Sequence, residues 1–148
     1  MDEAYEILLV EDDPRDLRLT MRELQANLHG HIEVARDGEE ALDFLFCRGA
    51  HAGRSPHRLP RLIVHYLKLP KIDGFQVLRE IKANPETQSI PVVALTSSRE
   101  ERDMVETYQL GVNSYVAKPV DFGEFQKTIR AMGLYWLEIN QTAAERAS

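Results

Sequence analysis

Three consecutive acidic residues, Glu11, Asp12 and Asp13, follow a short apolar run near the N-terminus. Hard divalent cations such as Mg²⁺ prefer carboxylate, carbonyl and water oxygens, so these residue types suit a metal site. Asp13 also precedes Pro14, which is the pattern of a helix N-cap followed by proline at the first helical position. The spacing alone favours capping with exposed charge over metal binding, and the surrounding fold must decide between them.

Short apolar segments alternate with amphipathic ones, which predicts a parallel sheet covered by helices on both faces. Continuous apolarity in the first, third and fourth segments predicts strands that are buried on both faces. Five strand–helix units predict an α/β, flavodoxin-like (βα)5 doubly wound sandwich with strand order 2-1-3-4-5 and a crevice beyond the carboxyl ends of the strands. The strand candidates are residues 7–10, 32–35, 62–67, 92–95 and 115–117.

Length and composition exclude several classes of protein. The 148 residues suit a single domain, with a core over about residues 5–132 and a tail over 133–148. A net charge of −6 argues against a nucleic-acid-binding surface, and no apolar run approaches the roughly 18 residues that span a bilayer. The acidic N-terminus is unlike a signal peptide, and the single Cys47 excludes an intrachain disulfide, so we expect a cytoplasmic protein.

The polar residues indicate a function more specifically when they are taken together than when each is taken singly. Glu11 and Asp12, Thr96, the Lys118-Pro119 pair and the segment Leu-Pro-Lys-Ile-Asp-Gly at 69–74 stand in order along nearly the whole chain. Together they resemble the receiver domain of bacterial two-component response regulators, and we expect a single-domain regulator without an effector domain. The resemblance implies that Lys118 contacts a phosphoryl group, that Thr96 is the switch hydroxyl, and that Tyr115 is the aromatic residue that moves inward with it.

Position 66 departs from this family. The resemblance places there an aspartate that accepts the phosphoryl group and also binds Mg²⁺, but the residue is Tyr66. Glu11, Asp12 and the backbone carbonyl of Lys68 would complete the metal site. A phenol with a pKa of about 10 is neutral at pH 7 and a poor Mg²⁺ ligand, so we expect a weakened or absent metal site. Tyrosine cannot form an aspartyl phosphate, and its ring is expected to fill part of the crevice near Lys118 or Thr96.

Neither of two nearby residues is expected to replace the missing acceptor. His65 should point to the opposite face of its strand, because alternate strand residues face opposite sides. Asp73 precedes Gly74 in a loop, which indicates a turn and helix cap. We therefore predict no catalytic residue and a protein that is not an enzyme.

Two segments suggest contacts with other molecules. The loop at 47–60 is long and rich in Gly, Pro and Arg, which suits either a functional loop or a solvated connection. The tail at 134–139 crowds apolar residues, including Trp136, and either packs in the core or binds a partner or a second copy. Both segments look like those of phytochrome-associated receivers, which implies a sensor histidine kinase as partner and a homodimer through the last strand and helix.

Three hypotheses about function follow. The first is a pseudo-receiver that binds signalling partners without taking up phosphate by the usual route. The second is an ordinary phosphate-accepting receiver with an engineered residue at position 66; the adjacent departure at His65 slightly favours a natural change. The third, a small flavodoxin-like enzyme or nucleotide binder, is disfavoured because the turn after the first strand is acidic and lacks a Gly-rich phosphate loop.

Overall fold

Five strands and five helices alternate along the chain in a computed structural model that describes residues 5–26, 31–54, 59–67, 73–97 and 101–140. All strand pairs are parallel, and the strand order is β2-β1-β3-β4-β5, as predicted. The strands are β1 (Tyr5–Val10), β2 (His31–Ala35), β3 (Leu62–Tyr66), β4 (Val92–Thr96) and β5 (Ser114–Ala117). The helices are α1 (Pro14–Gln25), α2 (Gly38–Leu45), α3 (Gly74–Ala83), α4 (Glu101–Gln109) and α5 (Phe122–Leu134).

The sheet separates two apolar clusters. Side chains of α2 and α3 pack on one face against Leu8, Val10 and Ile63, whereas α1 and α5 pack on the other against Ile7 and Leu9. This alternation follows from the two-residue period of a strand. Strands β3 and β4 are buried along their full length, as their continuous apolarity predicts. No helix within the described ranges is long and apolar enough to cross a membrane.

Aspartate side chains cap the N-termini of α1, α2, α3 and α5. Each accepts a hydrogen bond from a main-chain N–H group in the first turn, which would otherwise lack a partner. The pairs are Asp13 with Arg15 and Asp16, Asp37 with Glu40, Asp73 with Phe75, and Asp121 with Glu124. The capping predicted for Asp13 and Asp73 is therefore confirmed.

The loop after α2 is partly packed rather than wholly solvated. Cys47 and Gly49 both have positive φ angles, 54° and 55°, and reverse the chain into a short 3-10 turn at Gly49–His51. The guanidinium group of Arg54 donates to the carbonyls of Phe44 and Leu45 and so caps the carboxyl end of α2. Residues 55–58 lie outside the described part of the chain.

The end of the chain continues the last helix. A π-helical turn, Tyr135–Ile139, follows α5, and its Leu137 is buried in the cluster shared with α1. Core packing therefore holds for Leu137, while Leu134, Tyr135 and Ile139 remain exposed. Binding of a partner or a second copy by the tail stays a prediction. Glu23 of α1 accepts hydrogen bonds from Gln126 and Arg130 of α5, which joins the two helices.

Candidate functional site

A pocket of about 290 Å³ lies at the carboxyl ends of the strands, where the fold class predicts it. Main-chain hydrogen bonds keep these ends level: Glu11 N–H donates to Ala35, Leu67 N–H to Leu95, and Lys118 N–H to Thr96. The carboxyl ends of the strands therefore meet at one edge of the sheet. The predicted residues that line the pocket are Glu11, Asp12, Tyr66, Thr96 and Lys118.

Tyr66 ends β3 and lies beneath this pocket. Only 4% of the residue is exposed, and its ring belongs to the cluster formed with α1 and α5. The phenolic oxygen lies 3.0 Å from the Oγ1 atom of Thr20, which is itself fully buried. Burial raises the pKa of the phenol above its usual value, although the hydrogen bond with Thr20 opposes that rise. The side chain is therefore a neutral, hydrogen-bonded part of the core.

Lys118 extends over Tyr66 from the segment that follows β5. Its Nζ atom lies 5.4 Å from the centre of the Tyr66 ring and 5.5 Å from that of Phe125, within the range of cation–π attraction. The ammonium group also donates a hydrogen bond to, and forms an ion pair with, the carboxylate of Asp16. The prediction that the ring at position 66 approaches Lys118 is confirmed.

Glu11 is the most unusual acid of the pocket. It is 2% exposed, and its Oε1 atom accepts a hydrogen bond of 2.9 Å from Asp13 N–H. Its Oε2 atom is buried without a hydrogen-bond partner in the described structure. Burial raises the pKa of Glu11 from 4.5 to about 7, against the lowering effects of the Asp13 N–H group and of Lys118. The carboxyl group is thus poorly solvated.

Replacement of Glu11 by Gln should stabilise the metal-free protein at high pH. The folded-state pKa exceeds the unfolded value, so the cost of ionising Glu11 is absent below pH 4.5, grows between pH 4.5 and 7, and is complete above pH 7. We expect Glu11→Gln to raise the free energy of unfolding by roughly 1–2 kcal/mol at pH 8 and to have little effect at pH 4.5. Urea denaturation with a chelator present measures this difference.

Glu106→Gln, at an exposed position on α4, is the matched control and should change the stability little at either pH. A destabilised Glu11→Gln variant at pH 8, or an equal gain at both pH values, would contradict the assignment of Glu11 as a buried acid.

The pocket fits a divalent cation only in part. The partnerless Oε2 atom of Glu11 and the neighbouring Asp12 are suitable oxygen ligands. Tyr66 offers only a neutral hydroxyl that Thr20 already engages. The other lining carboxylates, Asp13 and Asp16, cap α1 and pair with Lys118, respectively. Lys68, the predicted carbonyl ligand, lies outside the described residues, and within them no cluster of three His, Cys, Asp or Glu side chains suits a metal ion.

The two predicted switch residues lie in different places. Thr96 ends β4 and lines the pocket, with 6% of the residue exposed. Tyr115 is partly buried on the other side of the sheet, against the cluster of α2 and α3, and its ring lies 6.5 Å from that of Tyr108. The structure thus brings Thr96 to Tyr66 and Lys118 but leaves Tyr115 outside the described lining of the pocket.

His65 and Asp73 have the structural roles that were predicted. The His65 ring is fully buried on the opposite side of β3 from Tyr66, and its Nε2–H group donates to the carbonyl of Gly74 at 2.9 Å. Burial lowers the pKa of His65, which favours the neutral ring. Asp73 caps α3 with its carboxylate, as described above. Neither side chain lines the pocket.

Two residues of α1 contact the site although the sequence patterns did not predict it. Asp16 pairs with Lys118, and Thr20 pairs with Tyr66. The one available signal was Thr20 itself, a polar residue one helical turn from the apolar Leu17 and Leu24 and therefore close to the buried stripe.

A flavodoxin-like sheet with acidic residues after β1, a hydroxyl at the end of β4 and a lysine after β5 defines a receiver-type signalling domain. Comparison with known proteins agrees, because the family model for the response regulator receiver domain matches residues 7–130. The chain belongs to the response regulator receiver family.

Several relatives are similar over nearly their whole length. Response regulator Rcp1 of Synechocystis sp. is 41% identical over 133 residues, which are 89% of this chain and 88% of Rcp1. The solved Mn²⁺-bound form of Rcp1 has a TM-score of 0.84 at 38% identity, over 93% of this chain and 98% of that one. The phosphorylated cyanobacterial phytochrome response regulator RcpA has a TM-score of 0.86 at 35% identity, over 97% and 99% of the two chains. The bacteriophytochrome response regulator AtBRR is 48% identical with a TM-score of 0.71, over 94% and 99%.

Proposed function

We propose that this chain is a pseudo-receiver, a single-domain response regulator that acts in phosphorelay signalling by binding other proteins and does not take up phosphate by the usual route. One observation carries the proposal: the side chain at the end of β3 is Tyr66, which is buried with its hydroxyl bound to Thr20.

The chemistry of the pocket supports an inert acceptor position. Phosphoryl transfer requires a nucleophile in line with the donor and a cation that neutralises the equatorial oxygens. The raised pKa of Tyr66 keeps the phenol protonated near neutral pH, and its oxygen is already hydrogen-bonded to Thr20 of α1. Because position 66 carries no carboxylate and Asp16 is paired with Lys118, we infer that Mg²⁺ binds weakly or not at all to Glu11 and Asp12.

Relatives suggest the partner. The names of RcpA and AtBRR associate those proteins with cyanobacterial phytochrome and bacteriophytochrome, respectively. By similarity, we infer that a phytochrome-type sensor histidine kinase in the cytoplasm is the partner of this chain. Its role would then be to bind the kinase, or a protein downstream of it, in one conformation rather than to switch between two.

Intact mass after incubation with a small acyl-phosphate donor and Mg²⁺ tests the proposal. We expect no gain of a phosphoryl group that is labile in alkali or hydroxylamine. RcpA, which has been solved in a phosphorylated form, is a suitable comparison under the same conditions for the activity of the donor. A labile gain on this chain, mapped to any pocket carboxylate, would overturn the pseudo-receiver assignment.

We further infer that the chain forms a homodimer through the region of the last strand and helix. Apolar side chains are exposed along α4 beside β5, where Val105 is 47% and Tyr108 49% exposed. On α5 and the turn after it, Leu134, Tyr135 and Ile139 are also exposed. A second copy that covered such side chains would remove apolar area from water.

Substitution of Tyr108 by Glu should weaken this self-association about tenfold or more, because buried aromatic residues often dominate interfaces and an added carboxylate would be desolvated. Sedimentation velocity at two protein concentrations measures the change. Gln109→Glu adds the same charge at the neighbouring exposed position and is the matched control. A wild-type protein that sediments as a monomer at both concentrations would contradict the dimer.

A further inference from the structure

The ammonium group of Lys118 contacts one carboxylate and two aromatic rings, although position 66 carries no acceptor carboxylate. The Asp16 carboxylate pairs with its ammonium group, and the rings of Tyr66 and Phe125 lie within 5.5 Å of Nζ. The side chains of Lys118 and Asp16 are only 25% and 18% exposed. An ammonium group that is this far removed from water needs a nearby counter-charge, and among the described contacts of Lys118 the closest is that of Asp16.

Both unpredicted contacts of the pocket come from one face of α1. Asp16 and Thr20 are separated by four residues, so they lie one above the other on the helix. Asp16 contacts Lys118, while Thr20 contacts the Tyr66 hydroxyl at 3.0 Å. Since the backbone N–H of Lys118 also donates to Thr96, the lysine is restrained at its main chain and at its terminal group.

We propose that Asp16 is the positioning residue of this pocket. From α1 it acts as the counter-ion of Lys118 and supplies the negative charge that an acceptor carboxylate at position 66 would otherwise supply. The proposal deepens the pseudo-receiver function and rests on it. With Asp16 in place, the pocket lysine is already neutralised and held over Tyr66. While Tyr66 occupies the end of β3, the pocket therefore presents little positive charge to an incoming phosphoryl donor, whereas a carboxylate at position 66 would compete with Asp16 for Lys118.

The chemical reactivity of Lys118 tests this role. A brief treatment with an N-hydroxysuccinimide ester of acetic acid, followed by peptide mass analysis, gives the acylation rate of each lysine. Lys127 on α5, whose side chain is 76% exposed, is the internal reference. In the wild-type protein we expect Lys118 to react several times more slowly than Lys127. Equal rates would overturn the proposal without any variant.

Asp16→Asn removes the charge and keeps the shape of the side chain. We expect the acylation rate of Lys118 relative to Lys127 to rise about fivefold, the factor that corresponds to the loss of one moderately strong ion pair. Asp16→Glu retains a carboxylate and should hold the ratio within about twofold of the wild-type value. Such a rescue separates charge pairing from a purely packing role of the side chain.

Asp12→Asn is the charge-matched control, because Asp12 also lines the pocket and no contact with Lys118 is described for it. A rise equal to that of Asp16→Asn would show that overall pocket charge, not Asp16, controls the lysine, and would overturn the proposal. An unchanged ratio in Asp16→Asn would do the same while leaving the pseudo-receiver function intact. Phosphoryl uptake by the wild-type chain, in contrast, would refute the pseudo-receiver function whatever the acylation rates are.

Discussion

The Tyr66→Asp variant should gain one labile phosphoryl group when it is incubated with a small acyl-phosphate donor and Mg²⁺, under conditions in which the wild-type chain gains none. Loss of the ring opens the space under Lys118 and places a carboxylate at the end of β3, level with Glu11 and Thr96. The new carboxylate also supplies the third oxygen ligand, so the affinity for Mg²⁺ should rise about tenfold or more. Intact mass and a Mg²⁺ titration measure the two effects.

Tyr66→Asn is the matched control for this experiment. Asparagine has the shape of aspartate but cannot form an acyl phosphate, so this variant should stay unmodified. Equal modification of the Asn variant would place the phosphoryl group on another residue. A folded Asp variant that binds Mg²⁺ but remains unmodified would show that the pocket has lost more than its nucleophile.

Gly74→Ala should destabilise the protein by more than about 3 kcal/mol or prevent its folding. Gly74 begins α3, and a Cβ atom there would lie 2.1 Å from the carbonyl oxygen of Leu67. That oxygen is main-chain and follows the buried end of β3, so it cannot move away as a flexible side chain would. The carbonyl of Gly74 also accepts the hydrogen bond of the buried His65 ring, which a displaced helix start would break. Urea denaturation measures the loss.

Gly53→Ala controls for the general effect of replacing glycine. A Cβ atom at this position would meet nothing within 4 Å, so the stability should stay unchanged or rise by up to about 1 kcal/mol. A loss below about 1 kcal/mol in Gly74→Ala would mean that the turn between β3 and α3 adjusts freely, and that Gly74 is not required for this close approach.

The elements of the fold could be predicted because their signals are local. Apolar runs of strand length, periodic helix faces and aspartates one turn before a helix interior each depend on residues that are neighbours in sequence. Parallel strands with right-handed connections then allow few arrangements, so the strand order and the edge that carries Glu11, Tyr66, Thr96 and Lys118 followed as well. The exact end of the last helix could not be predicted, because a π-helical turn after Leu134 has no clear sequence signal.

By itself, then, the sequence determined a doubly wound receiver sheet and the set of residues at its carboxyl edge, Tyr66 among them. Tertiary structure alone decided where the Tyr66 hydroxyl and the Lys118 ammonium group are bound. Their partners Thr20 and Asp16 are 46 and 102 residues away in the chain, on a helix that reaches them only when α1 packs against the sheet beside α5. Local patterns carry no information about such contacts, since the distance between those atoms depends on how whole elements pack together.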